Sequence, residues 1–250
     1  MKYGFAGDRL ISVNILSFLI NQGYKPSFLI INQTKESSHQ DDLIKISKLE
    51  SIDIYDINFL NKIDNNNSLD SYDVDYIFGI HFPYIISDVL LSIPKVGFLN
   101  LHPAYLPYNK GWHTPSWAII DETKYGATLH FMSKDLDAGD IVAQKEIEVT
   151  PHLTANELYK GVLDTEEKLF KECFSNLLTL KPNKVKQTGV GTSYSKKDLA
   201  KIQEIDLDNK VSPIKLINKL RALTTNDIDE AAYFIVDGKK YKIQVSIIPD

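Results

Sequence analysis

The first hundred residues alternate short apolar runs with longer stretches whose apolar residues fall on one helical face, and few architectures accept that pattern. Residues 3–7, 27–31, 52–55, 76–80 and 96–100 read as strands. Between them, 11–22 carries an apolar stripe at Ile11, Ile15, Phe18 and Leu19, and 41–49 suits a second helix. Strands separated by helices predict an α/β fold. The expected architecture is a Rossmann-like, mainly parallel sheet flanked by helices, which takes ligands beyond the carboxyl ends of its strands. Residues 64–71, dense in Asn, Asp and Ser, read as a surface loop.

The middle of the chain changes character. Thr114-Pro115 reads as an N-cap followed by proline at the first helical position, opening a short helix through Asp121. Residues 127–132 suit a strand, 133–140 a polar turn, and 141–149 an exposed edge strand. Thr154-Ala155-Asn156-Glu157 matches a capping box and opens a long helix to about Leu180, which Pro182 ends. Beyond about Gly189 the pattern is that of a small α+β extension, with a helix over 214–223. A hairpin of 233–236 and 241–247 closes around Asp237-Gly238. The expected division is a domain of residues 1–188 and a small C-terminal subdomain of 189–250.

With 250 residues, 43% hydrophobic and 24% charged, the chain has enough apolar surface for a full core. A formal net charge of -5 argues against a protein whose task is gripping a nucleic-acid backbone, yet leaves room for a small anionic ligand. The single cysteine, Cys173, rules out an internal disulfide and reads as a buried small apolar residue. The opening Met1-Lys2-Tyr3-Gly4-Phe5 carries no signal-peptide pattern, and no apolar run reaches bilayer length. The expectation is a cytoplasmic protein with no membrane partner.

Two segments can carry chemistry. Asn100 and His102 stand two apart at a strand end, so their side chains leave on one side, and Pro103 biases His102 toward extended backbone. A carboxamide can donate to a developing oxyanion and an imidazole can move a proton, which suits acyl transfer. The same two residues could equally satisfy backbone groups at a strand end. Leu136-Asp137-Ala138-Gly139-Asp140 is the second segment, where turn chemistry alone accounts for Asp and Gly. His130, on the preceding strand, reads as a satisfied core histidine that can also back the site, and Trp117 as core. Gly7-Asp8-Arg9 lies between the first strand and first helix, where helix-terminal amides can meet a phosphate, although no Gly-x-Gly-x-x-Gly fingerprint is present.

Taken together, Asn100-x-His102-Pro103-x-x-Leu106-Pro107-x-x-x-Gly111 and Leu136-Asp137-x-Gly139, with Gly126–Met132 between them, resemble the folate-dependent formyltransferase family. The wording Leu106-Pro107-Tyr108-Asn109-Lys110-Gly111 is similar to the branch acting on nucleotide-linked amino sugars, with Lys110 standing where that branch has Arg. The resemblance implies a catalytic trio of Asn100, His102 and Asp137: an oxyanion donor, a proton acceptor and its supporting carboxylate. It implies N10-formyltetrahydrofolate as formyl donor, bounded by Ile80, Phe82, Pro83 and Tyr84 and by Ser133, Asp135 and Asp137, with no metal. It further implies a sugar-nucleotide acceptor near Gly7, Asp8, Arg9, Tyr108, Asn109, Lys110, Trp112 and His113, such as a dTDP-4-amino-4,6-dideoxyhexose for surface polysaccharide, O-antigen included. A homodimer is implied as well. The competing acceptors within the family are methionyl-tRNA and glycinamide ribonucleotide. Outside it, a metal hydrolase using His81, His102, His113 and Asp137 lacks any His-x-x-x-His or His-x-His ligand pair.

Overall fold

A computed structural model describes residues 1–34, 37–56, 68–84 and 86–250. Its centre is a seven-stranded sheet in the order β3-β2-β1-β4-β5-β7-β8. The strands are β1 (Tyr3–Gly7), β2 (Phe28–Ile31), β3 (Ile54–Tyr55), β4 (Tyr76–Ile80), β5 (Gly97–His102), β7 (Tyr125–Phe131) and β8 (Ile141–Ile147). β1 pairs in parallel with β2 and β4, β2 with β3, and β4 with β5, whereas β7 joins β5 antiparallel. The helices are α1 (Arg9–Asn21), α2 (Gln40–Ser47), α3 (Asp88–Ser92), α4 (Thr114–Ile120), α5 (Ala155–Leu178) and α6 (Pro213–Ala222). By contacts the chain forms two compact units, one of residues 1–102, 128–144 and 166–187, the other of 103–127, 145–165 and 188–250.

In the first unit, alternation along the strands sends successive side chains to opposite faces. Ala6, Phe28, Ile30, Ile77 and Phe98 fall on one face with Leu69, Val74 and Leu90. On the other, Tyr3 and Tyr76 meet Phe78, which stands edge-on against Phe170 of α5 at 5.4 Å. Because parallel strands are buried on both faces, these runs are apolar throughout rather than alternating.

The second unit holds a smaller core of Trp117, Leu199, Leu223 and Ala232. Trp117 stacks on Tyr194 of β9 (Ser193–Tyr194), which pairs in parallel with β6 (Lys110–Gly111); the ring centroids are 3.7 Å apart and the planes 6° off parallel. The Tyr194 hydroxyl donates to Asp121 at 2.6 Å, and burial beside that carboxylate pushes its pKa up to about 12. β10 (Ala232–Val236) and β11 (Lys239–Ile243) form the expected antiparallel hairpin, with Asp237 and Gly238 at φ 50° and 73°. The capping box forms as read: Glu157 accepts from the Thr154 amide at 2.8 Å. Arg221 is buried, and its Nη1 donates to the carbonyls of Thr150 and Leu153 at 2.9 Å each.

Three local expectations change. Ser51–Asp53 is a 3-10 turn with Ile52 exposed, so only Ile54–Tyr55 pairs as strand. Of the Asn-rich stretch, 64–67 lies outside the described residues, while Ser68–Tyr72 is a 3-10 turn that buries Leu69, the one apolar residue its polar composition hides. The N-cap of α4 is His113 at φ 55°, not Thr114, whose hydroxyl instead donates to the Pro103 carbonyl at 2.5 Å. Cys173 is partly buried and donates weakly to Phe170, and burial pushes its thiol up to about 12.

Replacing Arg221 by Met leaves the Thr150 and Leu153 carbonyls without their donor at a buried site. The expected cost is about 2–4 kcal/mol in urea unfolding. A loss under about 0.5 kcal/mol would show that water satisfies those carbonyls instead.

Candidate active site

β5 ends in Asn100-Leu101-His102, and the register with β7 sets Asn100 opposite His130 and His102 opposite Thr128. The polar turn after β7 then returns Asp137 to these groups. His102 Nε2 lies 3.5 Å from Asp137 Oδ2, and Asn100 Nδ2 lies 3.4 Å from Asp137 Oδ1 and 3.3 Å from His130 Nε2. His130 Nε2 is 3.7 Å from the same carboxylate. His102 and Asp137 are 7% and 8% exposed and His130 is fully buried, so the cluster is largely shielded from water. The trio read from the sequence therefore converges, all within the first unit.

The ring states follow from their partners. His130 Nδ1 is 2.8 Å from the Phe131 carbonyl, which can only accept, so Nδ1 carries a proton. In the neutral ring Nε2 is then an acceptor and faces the Asn100 amide. His102 Nε2 is buried and makes no hydrogen bond, since 3.5 Å to Asp137 is ion-pair distance rather than hydrogen-bond distance. His130, read as a core histidine, is thus both core and part of the cluster; the strand register was the signal for it.

Asp137 holds a left-handed backbone at φ 48°. The turn is pressed against β7: the Phe131 amide donates to Asp140 O at 2.9 Å, and a Cβ on Gly139 would sit 1.9 Å from Phe131 O. Only glycine fits there.

Of the residues expected around a folate, Ile80 is buried in β4. Phe82 and Tyr84 are partly buried with ring centroids 5.1 Å apart, and Pro83 between them is exposed. The Tyr84 hydroxyl donates to Asn32, whose amide donates to Asp8. Ser133 donates to the Asp135 carbonyl on the exposed rim of the turn. His81, given no role by the sequence, pairs with the fully buried Glu166 at 2.8 Å.

The loop after β1 differs from expectation. Asp8 is buried, and its carboxylate accepts from the Arg9 and Ser38 amides at 2.8 Å each and from Asn32 at 3.0 Å. The start of α1 is already capped by an anion, so a phosphate placed there faces like charge. Gly7 packs against Ser12 and Phe5, and Arg9 extends to solvent. In the second unit, Asn109 is fully buried and bonds Thr123 and Thr192, a structural engagement. Tyr108 and Lys110 are partly exposed, Trp112 is exposed under the Lys196 ammonium, and His113 lies 3.5 Å from Glu230.

Among the described residues no group of His, Cys, Asp and Glu is arranged to hold a metal ion, and no helix is long and apolar enough to cross a membrane. A carboxamide, an imidazole and a carboxylate meet at the carboxyl end of a parallel strand, a set of groups chemically able to move a proton and donate to an oxyanion. Residues 25–174 match the formyl transferase family model, and 198–249 match an N-formyltransferase dimerization C-terminal domain. The chain belongs to the formyl transferase family. It is 30% identical over 158 residues to dTDP-4-amino-4,6-dideoxyglucose formyltransferase of Mycobacterium tuberculosis, spanning 63% of this chain and 68% of that one. Its fold matches a 4-N formyltransferase from Francisella tularensis, with TM-score 0.83, 24% identity and coverage of 100% and 98%. It also matches the N-formyltransferase of Helicobacter canadensis in complex with folinic acid and dTDP-3-aminofucose, with TM-score 0.68, 22% identity and coverage of 95% and 85%.

A Gly139→Ala substitution is expected to lower the unfolding midpoint by roughly 4–8 °C, as a cost of about 2 kcal/mol for moving the Phe131 carbonyl off the new Cβ requires. Calorimetry within 1 °C of the unsubstituted protein would show that the turn yields freely.

Proposed function

We propose that this chain transfers the formyl group of N10-formyltetrahydrofolate to the amine of a nucleotide-linked amino-deoxysugar, with dTDP-4-amino-4,6-dideoxyglucose as the favoured acceptor. The product would serve surface polysaccharide synthesis such as that of O-antigen. The carrying observation is the buried His102 Nε2, without a hydrogen bond, flanked by Asn100 and Asp137. The 30% identity to an enzyme of that printed specificity supports the acceptor.

The formyl donor fits this site. An unbonded ring nitrogen awaits a polar partner, and two half-buried aromatic rings stand after β4, the neighbour of β5. Ile80, Phe82, Pro83 and Tyr84, with the Ser133, Asp135 and Asp137 turn, would hold it. When bound, N10-formyltetrahydrofolate supplies an activated formyl carbon and a leaving aromatic amine.

His102 Nε2 accepts the proton that the acceptor amine loses and returns it to the departing nitrogen, with Asp137 Oδ2 3.5 Å from that ring nitrogen. Asn100 Nδ2 makes only long contacts of 3.3 and 3.4 Å, so turning an N–H toward a developing oxyanion exchanges a weak bond for a charge-assisted one. Burial of His102 and Asp137 strengthens these interactions. Two chains would associate through the segment from 189 onward, within which the dimerization domain matches, and residues 1–188 would form the catalytic domain.

The test is turnover of purified protein with N10-formyltetrahydrofolate and a panel of dTDP-, GDP- and UDP-linked amino sugars, methionyl-tRNA and glycinamide ribonucleotide. His102→Ala and Asp137→Ala are each expected to lower kcat by at least about a hundredfold while sugar-nucleotide affinity changes little. Formylation of methionyl-tRNA in preference to every sugar would overturn the acceptor assignment. Turnover retained in either variant would remove the assigned roles.

A further inference from the structure

Gln187 stands 50 positions beyond Asp137, yet its Nε2 donates to the Asp137 carbonyl at 2.8 Å and to the Gly139 carbonyl at 2.9 Å. Carbonyl oxygens only accept, so the amide nitrogen must face them and both its N–H groups are committed. The other end of the side chain, Oε1, is buried without a hydrogen-bond partner. An apolar side chain of similar volume would avoid that cost, so the pair of donors is what glutamine contributes here. Its neighbours grip the same turn. Val185 exchanges both backbone hydrogen bonds with Ile141 at 2.7 and 2.8 Å, and Lys184 reaches Asp140 at 2.9 Å while lying 4.8 Å from the Phe131 ring centroid.

We propose that Gln187 is a positioning residue for the catalytic carboxylate. By holding the carbonyls of Asp137 and Gly139, it fixes the left-handed backbone of Asp137 and keeps the carboxylate within reach of His102 and Asn100. Those contacts, at 3.5 and 3.4 Å, already lie at the limit of useful range, so a small swing of the turn would lose them. The inference rests on the reading of Asp137 as a catalytic group.

Gln187→Met preserves length and removes both donors; Gln187→Glu presents a carboxylate to the same carbonyls at neutral pH and regains one O–H donor when protonated. With N10-formyltetrahydrofolate and the best acceptor, at a temperature where circular dichroism shows each variant folded, Gln187→Met is expected to lower kcat about tenfold to a hundredfold. The KM values for both substrates stay within about twofold. For Gln187→Glu, kcat relative to the unsubstituted protein at the same pH recovers as pH falls. Unchanged kcat in folded Gln187→Met, or a loss carried by KM alone, overturns the positioning role. Absence of formyl transfer by the unsubstituted chain would fail the underlying reading and the role with it, a result distinguishable from the first two.

Discussion

A carboxylate taken out of water must be matched by charge or by hydrogen bonds, and the arrangement around Asp137 answers to that requirement. Its neighbours include two imidazoles and a carboxamide at 3.4–3.7 Å. Contacts of that length can shorten when charge appears on a neighbouring group, and a gain of that kind is what favours a transition state over a resting one. Had Asp137 been locked by an arginine fork, His102 would have lost its charged neighbour.

The sheet supplies this arrangement through one departure from parallel order. β5 delivers Asn100 and His102 at its carboxyl end, and β7, running the other way, sets His130 directly opposite Asn100. The turn leaving β7 then has only a few residues in which to return Asp137, which explains both its left-handed backbone and the glycine flattened on Phe131.

Much of this was legible in the chain. The apolar runs of β1, β2 and β4 mark buried parallel strands, the Thr154–Glu157 pair marks the start of α5, and Asp237-Gly238 marks the hairpin. The convergence of Asn100, His102 and Asp137 was legible only as a resemblance, because spacing along a chain does not state where a turn folds back. At Asp8 the sequence showed only a short polar loop before a helix, whereas the fold turns its carboxylate onto the Arg9 and Ser38 amides, a contact that spacing does not announce. His81 with Glu166 and Gln187 with the Asp137 turn were invisible, since the pairings join residues 85 and 50 positions apart with no local periodicity to announce them.

The placement of Arg221 bears on the order in which the chain can mature. Its guanidinium closes over the carbonyls of Thr150 and Leu153, the last residues before the capping box of α5. The entry to a 24-residue helix is thus completed by a side chain some seventy positions downstream. During synthesis that entry stays open to water until Arg221 has left the ribosome, so the helix gains this anchor only after some seventy further residues have been made.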